Sequence, residues 1–165
     1  MLPNPLHPAV VHFPIAFAYL LPPAALVTLL WGARARAARA AWWPVAALML
    51  LTLVAGIVAV RSGEATEDRA EQAVAGRLIH EHEERAEGFM VVAWVGLALA
   101  AAGFLKGRLG LAARWAFLAA ALAMAAQVTW TGKLGGELVY KHGAASAYAR
   151  PASPGPADLE DDSDH

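Results

Sequence analysis

The chain has 165 residues, of which 58 % are hydrophobic and 16 % charged, against about 45–50 % and about 25 % in a soluble domain. Its net charge of −1 excludes the electrostatic footprint of a nucleic-acid binder. The absence of cysteine excludes disulfides, thiolate metal sites and a thioether-linked c-type haem.

The first expected span runs from about Ala9 to Trp31, 23 residues, enough to cross about 30 Å of hydrocarbon. It opens on His7-Pro8-Ala9-Val10-Val11-His12-Phe13-Pro14-Ile15, and no Lys, Arg, Asp or Glu follows until Arg34. No basic stretch precedes this run and it is too long for a cleaved leader, so it reads as a span. His12 lies inside it. An imidazole entering hydrocarbon is costly without a partner and by default marks a site. Pro8 suits a first helical turn, and Pro14 and Pro22-Pro23 are expected to bend the helix.

A short basic loop, Gly32 to Arg39, leads to a second span from about Ala41 to Val60. Thr52, Gly56 and Gly63 fall on one stripe, with Ala59 beside it. Small residues so placed mean either close helix packing or room for a flat cofactor. Arg61 to Glu87 reads as the one long loop, helical in its second half. There Val74, Leu78, His82, Ala86 and Phe89 recur at helical spacing and turn His82 inward. His80, two residues away, points to the opposite side among Glu84 and Glu87. Position 84 is Glu, so the string is not H-E-x-x-H, and a zinc-protease reading fails.

The third span is expected from about Gly88 to Phe104 and the fourth from about Trp115 to Thr131. Gly135-Gly136 should then end or sharply bend the last helix. Residues 146–165, rich in Ala, Ser and Pro and then acidic, have too little apolar surface to fold and read as a disordered tail. The fold class is therefore all-α: a four-helix transmembrane bundle, residues 1–145, followed by that tail. The two short loops carry Arg34, Arg36, Arg39, Lys106, Arg108 and Arg114 and no acid, which places both in the cytoplasm and both termini outside. Trp31, Trp42, Trp43 and Trp115 then mark the inner boundary and Trp130 the outer one. This topology gathers His7, His12, His80, His82 and His142 at the outer end.

The motifs His7-Pro8-x-x-Val11-His12-Phe13-Pro14-Ile15, Ser62-Gly63-Glu64-Ala65, His82-Glu83 and Gly135-Gly136-Glu137-Leu138-Val139-Tyr140-Lys141-His142-Gly143 resemble a bacterial membrane family, domain of unknown function 2231. The resemblance covers residues 5 to 145. It implies four membrane helices with histidines at the positions of His7, His12, His82 and His142, in the bacterial inner membrane. Relatives resemble fusions to Rieske or cytochrome c modules, which implies redox work. This chain carries neither module, so a Rieske or cytochrome c type partner would be a separate protein.

Three functions compete. In the first, haem b is clamped between His12 and His82 for electron transfer. His142 and His7 stand nearby as further ligands or supporting groups, and Gly56 and Gly63 leave room for the macrocycle. In the second, His12, His82 and neighbouring imidazoles with Glu64 hold Zn or Cu without haem. In the third, the chain is a structural or assembly subunit whose histidines bond backbone across helices. Each reading makes the chain a carrier or binding protein before it makes it an enzyme.

Overall fold

The computed structural model describes residues 6–32 and 39–148. The expected tail from residue 149 onward, with Arg34 and Arg36, lies outside them. Six helices are present: α1 (His7–Val10), α2 (His12–Gly32), α3 (Trp43–Glu64), α4 (Glu67–Ala70), α5 (Gly76–Ala102) and α6 (Gly107–Tyr140). Two 3-10 turns, Ala40–Trp42 and Ala144–Tyr148, complete them, and no strand occurs among the described residues. Four stretches are long and apolar enough to cross a membrane: His7–Trp31, Ala40–Glu64, Gly76–Ala102 and Gly107–Tyr140.

These helices form a square. The α2 helix packs on α3 and α6, and α5 packs on the same two. Ala18, Leu21, Ala25, Met49, Leu53, Ala93, Phe117, Ala121 and Met124 fill the middle. Outward-facing Leu, Val and Trp side chains surround the bundle, as lipid contact requires. The one buried hydroxyl at its centre, Thr52, turns back on its own helix and donates to the Leu48 carbonyl at 2.8 Å.

Several elements differ from their sequence-based expectation. The first span is interrupted at Val11, and α2 runs on through Pro22-Pro23. Pro14 has no N–H to give the Val10 carbonyl, so the ladder fails one turn before it. The third span begins at Gly76, because the amphipathic stripe after the loop and the apolar stretch are one continuous helix. The last helix does not end at Gly135-Gly136. It continues to Tyr140. Positive φ is confined to Gly107 and Gly143 among the described residues, so Gly132, Gly135 and Gly136 keep right-handed backbone. Each costs the helix about 1 kcal/mol relative to alanine.

Trp42 is not part of an aromatic belt. Trp31, Trp43, Trp115 and Trp130 are half or more exposed, but Trp42 is fully buried. Its Nε1–H donates to the Ala100 carbonyl at 2.9 Å, and its ring meets Phe117 edge-on at 5.4 Å. The Arg114 guanidinium lies 5.4 Å from the same ring and donates through Nε to the Gly103 carbonyl at 2.8 Å. This cluster ties the second span to the turn between α5 and α6. Trp42→Phe keeps most of the volume and removes the Trp42 donor from the Ala100 carbonyl, whose i+4 N–H bonds Ala101 instead. It should lower stability by roughly 1–2 kcal/mol, and Trp42→Ala by about 3–5 kcal/mol, in thermal unfolding in detergent micelles.

Candidate functional site

At the opposite end of the bundle the four helices part around a cavity of about 630 Å³. Its position follows from helix length. His7 is the first residue of α1, whereas α5 has run six residues before His82. Gly63 is one residue from the end of α3, whereas α6 continues five residues beyond Gly135. The second helical hairpin therefore overhangs the first by about 6–9 Å. The space beneath the overhang is walled by α4 and by the Ala144–Tyr148 turn.

Two histidines face it, and each is held by backbone. His7 Nδ1 donates to the Ala59 carbonyl on α3 at 2.8 Å, with Ser62 Oγ 3.2 Å away. The Ser62 hydroxyl itself donates to the same carbonyl at 2.8 Å. His82 Nδ1 donates to the Thr131 carbonyl on α6 at 3.2 Å. A carbonyl can only accept, so in each ring the bonded Nδ1 carries the proton. In the neutral imidazole, Nε2 is then the atom with the free lone pair. The ring centres stand 6.3 Å apart with planes at 87°. Beside His82, the buried Thr131 Oγ1 has no hydrogen-bond partner among the described residues.

The remaining wall is largely apolar, with Val60, Ile79, Ala86 and Leu138, but Glu64, Glu67, Glu83 and Glu87 also line it. Tyr148 closes one side. Its hydroxyl reaches the Thr66 carbonyl at 3.4 Å, and the Arg69 guanidinium stacks on its ring at 5.3 Å. These two contacts hold the Ala144–Tyr148 turn against α4. Among the described residues no group of three or more His, Asp or Glu side chains is placed to hold a metal ion.

The expected site residues separate into two sets. His7, His82 and Gly63 meet at the cavity. His12 is exposed on α2 and does not line it, and the ring beside His82 is that of His7. His142 is exposed beyond the end of α6. Gly56 is buried between α3 and α5, where a Cβ would meet Met90 Sδ at 2.9 Å, so it serves helix packing. His80 and His82 part as the helical period requires: His80 is exposed and pairs with Glu84 at 3.4 Å. The inward stripe itself is rotated slightly, since Ile79 is buried where Leu78 was expected. Glu83, Tyr148 and Gly135 escaped the reading of the sequence. Glu83 lies four residues past Ile79, on the same face, and that was the available signal.

A bundle of four membrane-crossing helices with an imidazole pair at one end defines an integral membrane protein with a polar site at its boundary. The chain belongs to the DUF2231 family, described as a predicted membrane protein, whose model matches residues 3–147. No curated protein and no solved structure matches it.

Different exposure gives the histidines different reactivity. In detergent micelles, diethyl pyrocarbonate should modify His12, His80 and His142 several-fold faster than His7 and His82, read by peptide mass spectrometry. Equal rates at His80 and His82 would contradict the helix phase.

Proposed function

We propose that the protein is a b-type cytochrome of the membrane, with haem held between His7 and His82 at the outer end of the bundle. The observation that carries this reading is the imidazole pair. An Nδ1–H fixed on a carbonyl sets tautomer and ring orientation and aims Nε2, as in ligating histidines generally. His7 and His82 would hold the group through Nε2, the ring nitrogen that the backbone bond leaves free in each. The rings here stand 6.3 Å apart. Two imidazoles suit a haem iron, which takes one or two protein ligands, better than a structural zinc site, which takes four. The cavity falls within the usual range for cofactor sites, about 300–1,000 Å³. When bound there, haem would supply one-electron transfer. The chain's own residues supply orientation through Ala59 and Thr131, and exclusion of water through Ile79, Leu138 and Tyr148. A Rieske or cytochrome c type protein would be the separate partner.

Purified protein supplied with haem should show a Soret band. His7→Ala and His82→Ala should each lose most of it, while His12→Ala, His80→Ala and His142→Ala keep it. Ser62→Ala removes only a hydroxyl near Nδ1 and should weaken affinity by no more than roughly 10-fold. Loss in His12→Ala with retention in His7→Ala would overturn the pairing.

One observation favours a second reading. Four glutamates line the cavity, and such a wall suits a bare Zn or Cu ion better than the propionates of haem. A wild type without absorption after haem supply, but with stoichiometric metal bound through His7 and His82, would replace the first reading by the second.

We also propose that this end of the bundle faces the periplasm. Arg39, Lys106, Arg108 and Arg114 cluster at the opposite end, and basic loops stay in the cytoplasm. A reporter active only in the cytoplasm should be silent after Arg150 and active when inserted at Lys106.

A further inference from the structure

The two histidines reach their positions by the same local geometry, used twice. His7 donates to the carbonyl of Ala59, and four residues later stands Gly63. His82 donates to the carbonyl of Thr131, and four residues later stands Gly135. A Cβ built on Gly63 would meet His7 Cε1 at 3.2 Å, and one on Gly135 would meet His82 Cε1 at 3.1 Å.

The repetition has a physical cause. In an α-helix the carbonyl of residue i points along the axis toward residue i+4 and bonds its N–H. The carbonyl oxygen keeps a second lone pair open to a side. The Cβ of residue i+4 leans back toward the N-terminus, over that same oxygen. Any side chain at i+4 on the inner face would therefore shade the carbonyl from a donor on a neighbouring helix. Glycine leaves it open and lets the ring lie flat against the backbone. By contrast, a Cβ on Gly132 or Gly136 meets nothing within 4 Å, so those glycines have no such duty.

We infer that Gly63 and Gly135 are the positioning residues of the site, each forming with the carbonyl four residues before it a seat that fixes one imidazole. The inference rests on the reading of His7 and His82 as the working pair, and it goes beyond the choice of ligand. The cavity carries two copies of one half-site, one per hairpin, with ring centres 6.3 Å apart. The halves are not identical. Ser62 adds a hydroxyl 3.2 Å from His7 Nδ1, whereas the equivalent position beside Gly135 is Leu134. The His7 ring is thus the more firmly fixed of the two, and the His82 ring the one freer to adjust to a ligand.

The test uses full-length protein in detergent micelles, labelled with 15N in the histidine rings and free of added haem or metal. Signals are assigned by their loss in His7→Gln and His82→Gln. In the wild type at alkaline pH, both rings should carry the proton on Nδ1. Gly63→Ala should shift the His7 ring signals and leave those of His82, and Gly135→Ala should do the reverse. Gly132→Ala and Gly136→Ala should leave both unchanged. Haem affinity should fall several-fold in the first two variants and stay at the wild-type value in the controls. A wild type with either ring protonated on Nε2 overturns the proposal, whether or not the variants fold. So does a pair of seat variants whose ring signals do not move, or controls that move them equally. A wild type that shows both Nδ1–H rings and the paired shifts, yet takes up no haem, supports the seats and sinks only the cytochrome reading.

Discussion

A polar N–H placed at a membrane boundary must find its acceptor inside the protein, and here the acceptors are helix carbonyls that already hold one hydrogen bond. Everything at the cavity end depends on that double use of an oxygen. The α-helix satisfies its own backbone, which is why helices cross membranes at all. It leaves no spare acceptor except the second lone pair of each carbonyl. Reaching that lone pair from another helix requires a gap in the surface. His7 and His82 occupy two such gaps, and their pairing follows from where the gaps lie.

The far end of the bundle also seats side-chain donors on carbonyls, but on ones that the end of α5 leaves without a backbone donor. Trp42 and Arg114 also donate from side chains to carbonyls, those of Ala100 and Gly103. There the donors are wrapped by Phe117 and by each other. One end is therefore tied and the other open. The hydrophobic middle between them, with Met49, Leu53, Phe117 and Met124 fully or almost fully buried, keeps the two ends apart. Charge follows the division, since acids line the open end and Lys106, Arg108 and Arg114 cluster near the tied one.

The architecture was legible in the sequence because hydrocarbon imposes length and composition on a span. Four apolar stretches separated by charge could hardly be anything else. The helix ends were not legible. Outside the hydrocarbon a helix can continue through Arg61 or Glu84 without penalty, and hydropathy does not register it. The separation of His80 from His82 was readable, since it needs only the helical period. The choice of His7 over His12 was not. It turns on the interruption at Val11 and on which carbonyl of α3 lies within reach, and both are tertiary facts. Gly135 misled for a related reason: a glycine pair looks like a helix stop until a ring is found lying on it.

The overhang of the second hairpin bears on the order in which the molecule is made. His7 belongs to the first hairpin and His82 to the second, and each ring is anchored within its own hairpin. Synthesis delivers the first hairpin with its imidazole already seated, long before α6 leaves the ribosome. The second imidazole has no seat until Thr131 and Gly135 are in place. Only lateral docking of two finished hairpins, the usual later stage of membrane-protein assembly, brings the rings to 6.3 Å. The site is thus a late product of biogenesis. A nascent chain with three spans inserted holds one imidazole in place and leaves the other without its acceptor.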